Sequence, residues 1–433
     1  EKWLKISSAE RRTFLLHLTY SMADGLIMGL FALNEFILIK GLKGTNYQIG
    51  FLFQFTVLVL LLSIVINEFF KRIRRKKKLI RLVAVFTRLP LVLFALFPAT
   101  YANPGNFIYY QMAFLFIFLF YFMANPLLFP AINHLLKNSY SHQNFGRLYG
   151  YVSSINKIMM LFATFFFGLI LDINQFAFTF IYPMVAVLGI SSIFILTKID
   201  YDAPEFNEPK KKFLVSVMGS LKNSILILKE NKPYRDFEIA FMFYGFAWMA
   251  TAAVITIFFE KVLGLNYSSI AFYKNSYNTL AILVLPYFGK LLGKIDPRKF
   301  AILTFSSLLL HLFFMGLTEF TPLYFNFWEL KIYYSLIASY IFYGLFAAMM
   351  ALLWYIGSAY FCKNEEASSY QSIHLSLTGA RGLFAPLIGV YFYELIGFSG
   401  VFGISVISLA IAVLVMLHSM KKHRLELLQT DIV

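Results

Sequence analysis

Apolar runs of about 20 residues recur along the whole of this chain, each long enough to cross roughly 30 Å of hydrocarbon as a helix. Twelve such spans are predicted, over residues 13 to 40, 47 to 70, 79 to 98, 107 to 132, 148 to 171, 176 to 197, 237 to 261, 268 to 290, 299 to 318, 330 to 360, 370 to 394 and 398 to 420. The composition agrees. Of 433 residues only 14% are charged, against about 25% in a soluble domain. Most side chains must therefore face lipid, and the fold class is an all-α membrane protein with twelve transmembrane helices.

The stretch "KRIRRKKK", residues 71 to 78, lies between the second and third spans. A basic run of this kind marks either a nucleic-acid patch or the cytoplasmic side of a membrane protein. The other charges decide. Thirty of the 38 Lys and Arg fall before the first span, in the even-numbered connections or in the tail. By the positive-inside rule both termini and KRIRRKKK face the cytoplasm. The net charge of +16 is then a topology signal, with anionic lipid headgroups as a secondary partner. Nucleic acid is excluded because the charges are dispersed over short loops. No cleavable signal peptide precedes the first span, which is expected to stay in the membrane. The plasma membrane, the inner membrane in a bacterium, is the expected location.

One long connection, residues 198 to 236, splits the spans into six and six. The predicted organisation is an N-terminal six-helix bundle over 1 to 197, a cytoplasmic linker over 198 to 236 with an amphipathic helix at 213 to 229, and a C-terminal bundle with its tail over 237 to 433. "KGLKGTNYQIGFLFQ" from Lys40 is similar to "KVLGLNYSSIAFYK" from Lys261. With Asn46 set on Asn266, Gly25 falls on Gly245 and Met22 on Met242. The two halves read as copies, giving two pseudo-symmetric bundles.

This arrangement resembles the major facilitator superfamily of secondary transporters. Its local motifs match in part. The family's loop between helices 2 and 3 reads Gly-x-x-x-Asp-Arg/Lys-x-Gly-Arg/Lys-Arg/Lys. Here Asn67 stands at the first Gly, Lys71 at the Asp, Arg72 at the basic position and Arg74 at the second Gly, with Arg75 and Lys76 after it. The resemblance implies a gating role for Arg72, Arg75 and Lys76, while the missing Asp puts a charge relay there in doubt. The mirrored "GKLLGKIDPRK" keeps Asp296 but not the spacing. Pro386 to Gly389 echoes the antiporter motif, but in the eleventh span rather than the fifth, and the sugar-porter signature is absent. No subfamily follows.

Ionisable residues inside a membrane are costly and suggest function. The first span carries Asp24 and Glu35. Eleven residues apart on a continuous helix, they would share one face about 16 Å apart, together with His17, Tyr20, Met28 and Phe31. A carboxyl group in a low-dielectric site can carry a proton near neutral pH. Asp24 is the first candidate for proton coupling and Glu35 the second; the bland alternative pairs Asp24 with a neighbouring cation. Gly25 and Gly29 lie on a different face and read as helix packing.

Four cations are intramembrane: Arg88, Lys157, Lys274 and Arg381. Lys157 and Arg381 are near-equivalents in the two halves. The resemblance implies that helices 5, 8 and 11 line the central cavity and that helix 3 is peripheral, which makes Arg88 the weakest of the four. Arg381 as a bidentate fork and Lys157 as a point charge suit a carboxylate or phosphate. Lys274 with Asn278, His374, which shares a face with Arg381, and Tyr244 and Trp248 complete the expected substrate site. The alternative is that Lys157 or Arg381 neutralises Asp24.

Asn125-Pro126 is expected to kink the fourth span. The single cysteine, Cys362, permits no internal disulfide and no thiolate metal site. There is no phosphate-cradling Gly-rich loop and no His-Glu-x-x-His. No cofactor or metal is expected, and no enzymatic activity. The chain reads as a monomeric secondary transporter of a small organic solute, anionic or with an anionic head, working by alternating access and coupled to protons as a symporter or antiporter. The alternatives are a multidrug-type exporter of cationic or amphiphilic compounds and a lipid-linked sugar flippase.

Overall fold

The computed structural model describes residues 7–62, 73, 75–98, 107–137, 139–140, 142–200, 213–292, 294–362 and 367–430. Among them nine helical segments are long and apolar enough to cross a membrane. Twelve predicted spans are compatible with nine such segments. The eleventh and twelfth run together as Ile373–Lys422, the second continues beyond the described residues, and Ser268, Ser269, Lys274, Asn275 and Asn278 dilute the eighth. The chain divides into two compact units, one of Glu1–Gln48 and Leu62–Phe213, the other of Ile49–Leu61 and Leu214–Val433. The segment Ile49–Leu61, predicted with the N-terminal bundle, thus groups with the C-terminal unit.

In the first unit α1 (Ser8–Phe31) opens with a capping box. Ser7 accepts from the Glu10 amide at 3.2 Å, and the Glu10 carboxylate accepts from the Ser7 amide at 3.3 Å. This satisfies two of the donors that a helix start leaves open. The predicted unbroken helix to residue 40 does not form. The chain turns at Ala32 and Leu33, resumes for one turn at Asn34–Phe36 and widens to a π-helix at Ile37–Gly41. The side chain of Asn34 is engaged there by the Tyr182 hydroxyl, and Gln111 donates to the carbonyls of Leu42 and Lys43 at 2.8 and 3.0 Å. The Gln111 bonds satisfy carbonyls that the end of this segment leaves open. The break falls between Asp24 and Glu35, which were expected on one continuous helix.

The next helices are α2 (Asn46–Leu58), α3 (Lys76–Arg88), α4 (Phe107–Phe122), α5 (Asn125–Lys137), α6 (His142–Ile173) and α7 (Phe178–Leu196). Beyond Arg88 the third span tightens into eight residues of 3₁₀-helix, Leu89–Leu96. Pro90 cannot donate to the ladder and clashes with a normal α-helical turn before it. The predicted interruption of the fourth span is present, at Met123 and Ala124, just before Asn125-Pro126. The small residues of α1 set its distance from α6. A methyl group on Gly25 would overlap the backbone of Asn156, and one on Gly29 would overlap Met160 and Ala163. Beyond them Phe31 packs edge-on against Phe118, Tyr121 and Tyr182, at 5.1, 4.9 and 5.4 Å between ring centres.

The linker helix α8 (Phe213–Glu230) matches its prediction to one residue, and Val215, Met218, Ile225 and Leu226 are exposed on it. The second unit continues with α9 (Lys232–Lys261), α10 (Tyr267–Leu292), α11 (Pro297–Phe320), α12 (Tyr334–Ile356), α13 (Ala367–Gly382) and α14 (Ala385–Thr430). The last turns a corner at Gly397, whose φ of 71° no bulky residue adopts readily. Gly389 lies against the backbone of Ala250, so that α14 closes on α9. The tenth span starts late. Residues 330 to 333, expected in a helix, form a strand, β2 (Leu330–Tyr333), paired antiparallel with β1 (Tyr324–Phe327). Their amides are claimed by side chains of α10: Lys331 N donates to Ser269 Oγ at 2.9 Å and Tyr333 N to the Tyr273 hydroxyl at 2.7 Å. A helix would leave both hydroxyls without these partners.

Candidate functional site

In the first unit, the close approach of α1 and α6 at Gly25 brings Asn156 to Asp24. Its Nδ2 donates to the Asp24 carboxylate at 3.2 Å and to the Ser21 carbonyl at 2.8 Å. Lys157, the next residue on α6, and Arg88, at the end of α3, both act on the Asp24 carboxylate through their charges. Asp24 and Lys157 are half-buried. Arg88 is only 7% exposed. Its guanidinium lies 5.1 Å from the ring of Tyr121, and Gly189 of α7 leaves the space its stem occupies. One carboxylate and two cations thus share a site, flanked by Tyr20 and Tyr121.

The helix-3 cation ranked lowest by sequence is therefore part of the Asp24 cluster. Asn156 was not singled out at all; its signal was its position beside Lys157, opposite the small-residue face of α1. The other residues predicted on the Asp24 face, His17, Tyr20, Met28 and Phe31, lie on the continuous part of the same helix but in different surroundings. His17 is buried at 3% exposure, with Nδ1 3.1 Å from the Tyr140 hydroxyl, whereas Met28 is 48% exposed. Glu35 is buried beyond the break in the helix.

In the second unit Arg381 is 1% exposed. Its guanidinium donates to the Phe241 carbonyl at 2.6 Å and to Thr378 Oγ1 at 3.2 Å, and lies 5.7 Å from the Tyr244 ring. It fits there because residue 245 is glycine; a Cβ would overlap the guanidinium. Tyr244 is stacked on Phe305 at 5.2 Å. His374 is 1% exposed and meets Glu238, with Nδ1 3.1 and 3.2 Å from the two carboxylate oxygens. Arg381, His374 and Tyr244 thus lie near one another, with their polar groups held between α9 and α13.

Glu238 was missed. The predicted seventh span begins at residue 237, so its carboxylate read as interfacial. The spacing of Tyr234, Glu238 and Phe241 on one helical face was the available signal. Of the other expected substrate residues, Trp248 donates to the Tyr343 hydroxyl at 3.3 Å. Lys274 is half-buried, and Asn278 donates to its carbonyl at 2.8 Å.

Arg72 of the gating set lies outside the described residues. Arg75 is exposed just before α3, and Lys76 is buried as its first residue. In the mirrored loop Asp296 caps α11, accepting from the Arg298 amide at 2.8 Å and pairing with its guanidinium at 2.8 Å. Partial burial works against ionisation of Asp296, but the Arg298 hydrogen bonds and charge, helped by Lys299, outweigh it and hold the carboxyl below the usual range.

A separate groove of about 820 Å³, between the 3₁₀ segment and α4, is lined by residues such as Leu89, Leu93, Phe97, Tyr110 and Phe116. Among the described residues no charged one lines it, which sets it apart from the Asp24 cluster. No group of three or more His, Cys, Asp or Glu that could hold a metal occurs among the described residues.

Comparison with known proteins agrees with this architecture. Solved structures of similar fold include the nucleoside transporter NupG, at 13% identity and a TM-score of 0.68, covering 94% of this chain and 99% of that one. A POT family transporter in complex with 5-aminolevulinic acid has 11% identity and a TM-score of 0.69, with 95% of each chain covered. A bacterial homologue of the human lysosomal transporter Spinster, inward-facing and unoccupied, has 14% identity and a TM-score of 0.62, covering 96% of this chain and 98% of that one. No curated protein matches the chain by sequence. The model of the Major Facilitator Superfamily matches residues 13–330, and with its transmembrane helices and its fold this chain belongs to that superfamily of secondary transporters, not to the enzymes.

Proposed function

We propose that the protein is a proton-coupled transporter of a small organic solute bearing a carboxylate or similar anionic group, working by alternating access. The observation that carries this reading is the cluster in which Asp24 shares Lys157 and Arg88 and is hydrogen-bonded by Asn156. With Asp24 ionised, one carboxylate faces two cations and offsets one positive charge. With Asp24 protonated, that positive charge is uncompensated too, half-buried at Lys157, where an anionic solute can neutralise it. Proton and anion then enter the same site together, and each favours binding of the other. A POT family transporter of similar fold is solved in complex with 5-aminolevulinic acid, a carboxylic acid, which is consistent with the solute class. Thirty of 38 basic residues on one side of the predicted spans support cytoplasmic termini in a plasma membrane.

The test is a thermal-shift screen of the purified protein against organic anions, phosphates, amphiphiles and cationic dyes, at two pH values. A ligand that binds the native state raises Tm by mass action. Stabilisation by an organic anion, stronger at lower pH and lost in Lys157→Ala, supports the reading. Stabilisation by cationic dyes alone, unchanged in Lys157→Ala, refutes it in favour of an exporter of cations.

A further inference from the structure

The second unit holds a buried ionisable cluster that the Asp24 site does not use. Glu238 on α9 is 3% exposed and His374 on α13 is 1% exposed. Both carboxylate oxygens lie within hydrogen-bonding distance of Nδ1. An ionised carboxylate only accepts, so the ring proton belongs on Nδ1, and Nε2 is the basic nitrogen. The ring is held edge-on between Phe241, at 4.8 Å, and Trp354, at 4.7 Å. Nε2 is buried and has no hydrogen-bond partner among the described residues.

The same place ties three elements together. Asn231, just before α9, donates from Nδ2 to the Phe361 carbonyl at 2.8 Å and to the Tyr370 hydroxyl at 3.0 Å. The Tyr234 hydroxyl donates to the Tyr370 carbonyl at 2.7 Å. The start of α9, the turn after α12 and the start of α13 are therefore joined beside His374, at the end of the unit assigned to the cytoplasm.

We propose that His374 Nε2 is a second proton-binding site, and that a proton there loosens this tie. Among the described residues, the titratable and charged groups that act on the Glu238 carboxylate are Tyr234 on α9 and Arg381 on α13; Tyr370 on α13 and Cys362 after α12 act on Tyr234, Tyr244 on α9 acts on Arg381, and Trp354 on α12 packs its ring on the imidazole. Arg381 acts on the Glu238 carboxylate through its charge without pairing with it, its guanidinium being held by Phe241 and Thr378. A proton on Nε2 adds a net positive charge and turns an unfilled lone pair into an unpaired buried donor, which the closed arrangement cannot satisfy. An arrangement that lets water reach Nε2 satisfies both. The proton therefore binds the loosened state more tightly, and acid shifts the population towards it.

Cys362 is the single cysteine. It follows Phe361 and is half-buried, so its alkylation reports on the tie. The full chain in detergent is treated with a maleimide between about pH 8 and about pH 5.5, the range in which an imidazole titrates. Each rate is divided by that of His374→Gln at the same pH, which cancels the titration of the thiol itself. The ratio is expected to rise at least about threefold as pH falls, a population shift of less than one kcal/mol. A ratio constant across the range overturns the proposal. Should His374→Gln fail to fold, Glu238→Gln replaces it. Without the carboxylate the imidazolium loses its counter-charge, so the rise over this range should be diminished. An undiminished rise overturns the proposal equally. No solute or gradient is involved, so failure here leaves the Asp24 reading standing, and loss of coupling at Asp24 leaves this one standing.

Discussion

Asn156 on α6 holds two partners on α1 at once, the Asp24 carboxylate at 3.2 Å and the Ser21 carbonyl at 2.8 Å. Replacing it with leucine of similar size removes both bonds and leaves a carboxylate without its donor. Asn156→Leu is expected to lower stability by about 1.5–3 kcal/mol, the range for hydrogen bonds to charged groups. Differential scanning fluorimetry of the purified variant checks this. An unchanged Tm would mean that Asp24 finds another donor and that the contact does not organise the site.

Lys157 is half-buried beside Asp24, where it can meet a solute. Lys157→Gln should weaken binding of the anionic ligand found in the screen by about 10- to 100-fold, corresponding to one lost charge-assisted bond. Isothermal titration with that ligand measures it. Equal affinity in the variant would remove Lys157 from the site.

Glycines at the helix contacts and on the surface should behave in opposite ways. Gly25→Ala drives a methyl into the Asn156 backbone, which cannot swing aside. It should cost at least about 1–3 kcal/mol, the usual penalty of overpacking. Gly245→Ala meets a side chain, Arg381, but one locked by Phe241 and Thr378, so a similar cost is expected. Gly219 in α8 has open space around it. There Ala should stabilise by roughly 0.5–1 kcal/mol through helix propensity. The three apparent Tm values decide; a destabilised Gly219→Ala together with a neutral Gly25→Ala would contradict the packing described.

Asp296 has a depressed folded-state pKa, so the stability it contributes is present above its unfolded value, about 3.9. That contribution is lost as pH falls through the lower folded value. Asp296→Asn keeps a good N-cap but loses the charge facing Arg298. Its Tm deficit relative to wild type should therefore be present at neutral pH and shrink below about pH 4. A deficit of the same size at both ends would assign the loss to geometry rather than charge.

The spans were legible because lipid imposes a length and a polarity that composition cannot hide. Asp24, Lys157 and the Asn125-Pro126 interruption followed from the cost of placing charge or proline in such a helix. The repeat that set Gly25 on Gly245 also has a structural counterpart, since each glycine admits a neighbour from a helix later in its own unit, Asn156 or Arg381. Tertiary pairings decided what was missed. At the break after Phe31 the Asn34 side chain meets Tyr182, and the strand at Leu330–Tyr333 meets hydroxyls some 60 residues away, pairings that no local pattern shows. Glu238 escaped because a boundary error of a few residues turns a buried carboxylate into an interfacial one.

The claim that proton and anion share the Asp24 site is tested most directly by solute-driven proton flux. Protein reconstituted into vesicles loaded with a pH indicator is given the ligand identified by the screen, and the internal pH is followed for wild type and Asp24→Asn. The account predicts that solute acidifies the wild-type vesicles, whereas the variant still exchanges labelled solute but moves no protons. Equal proton flux in the two proteins, or solute uptake by wild type with no change of internal pH, would contradict it.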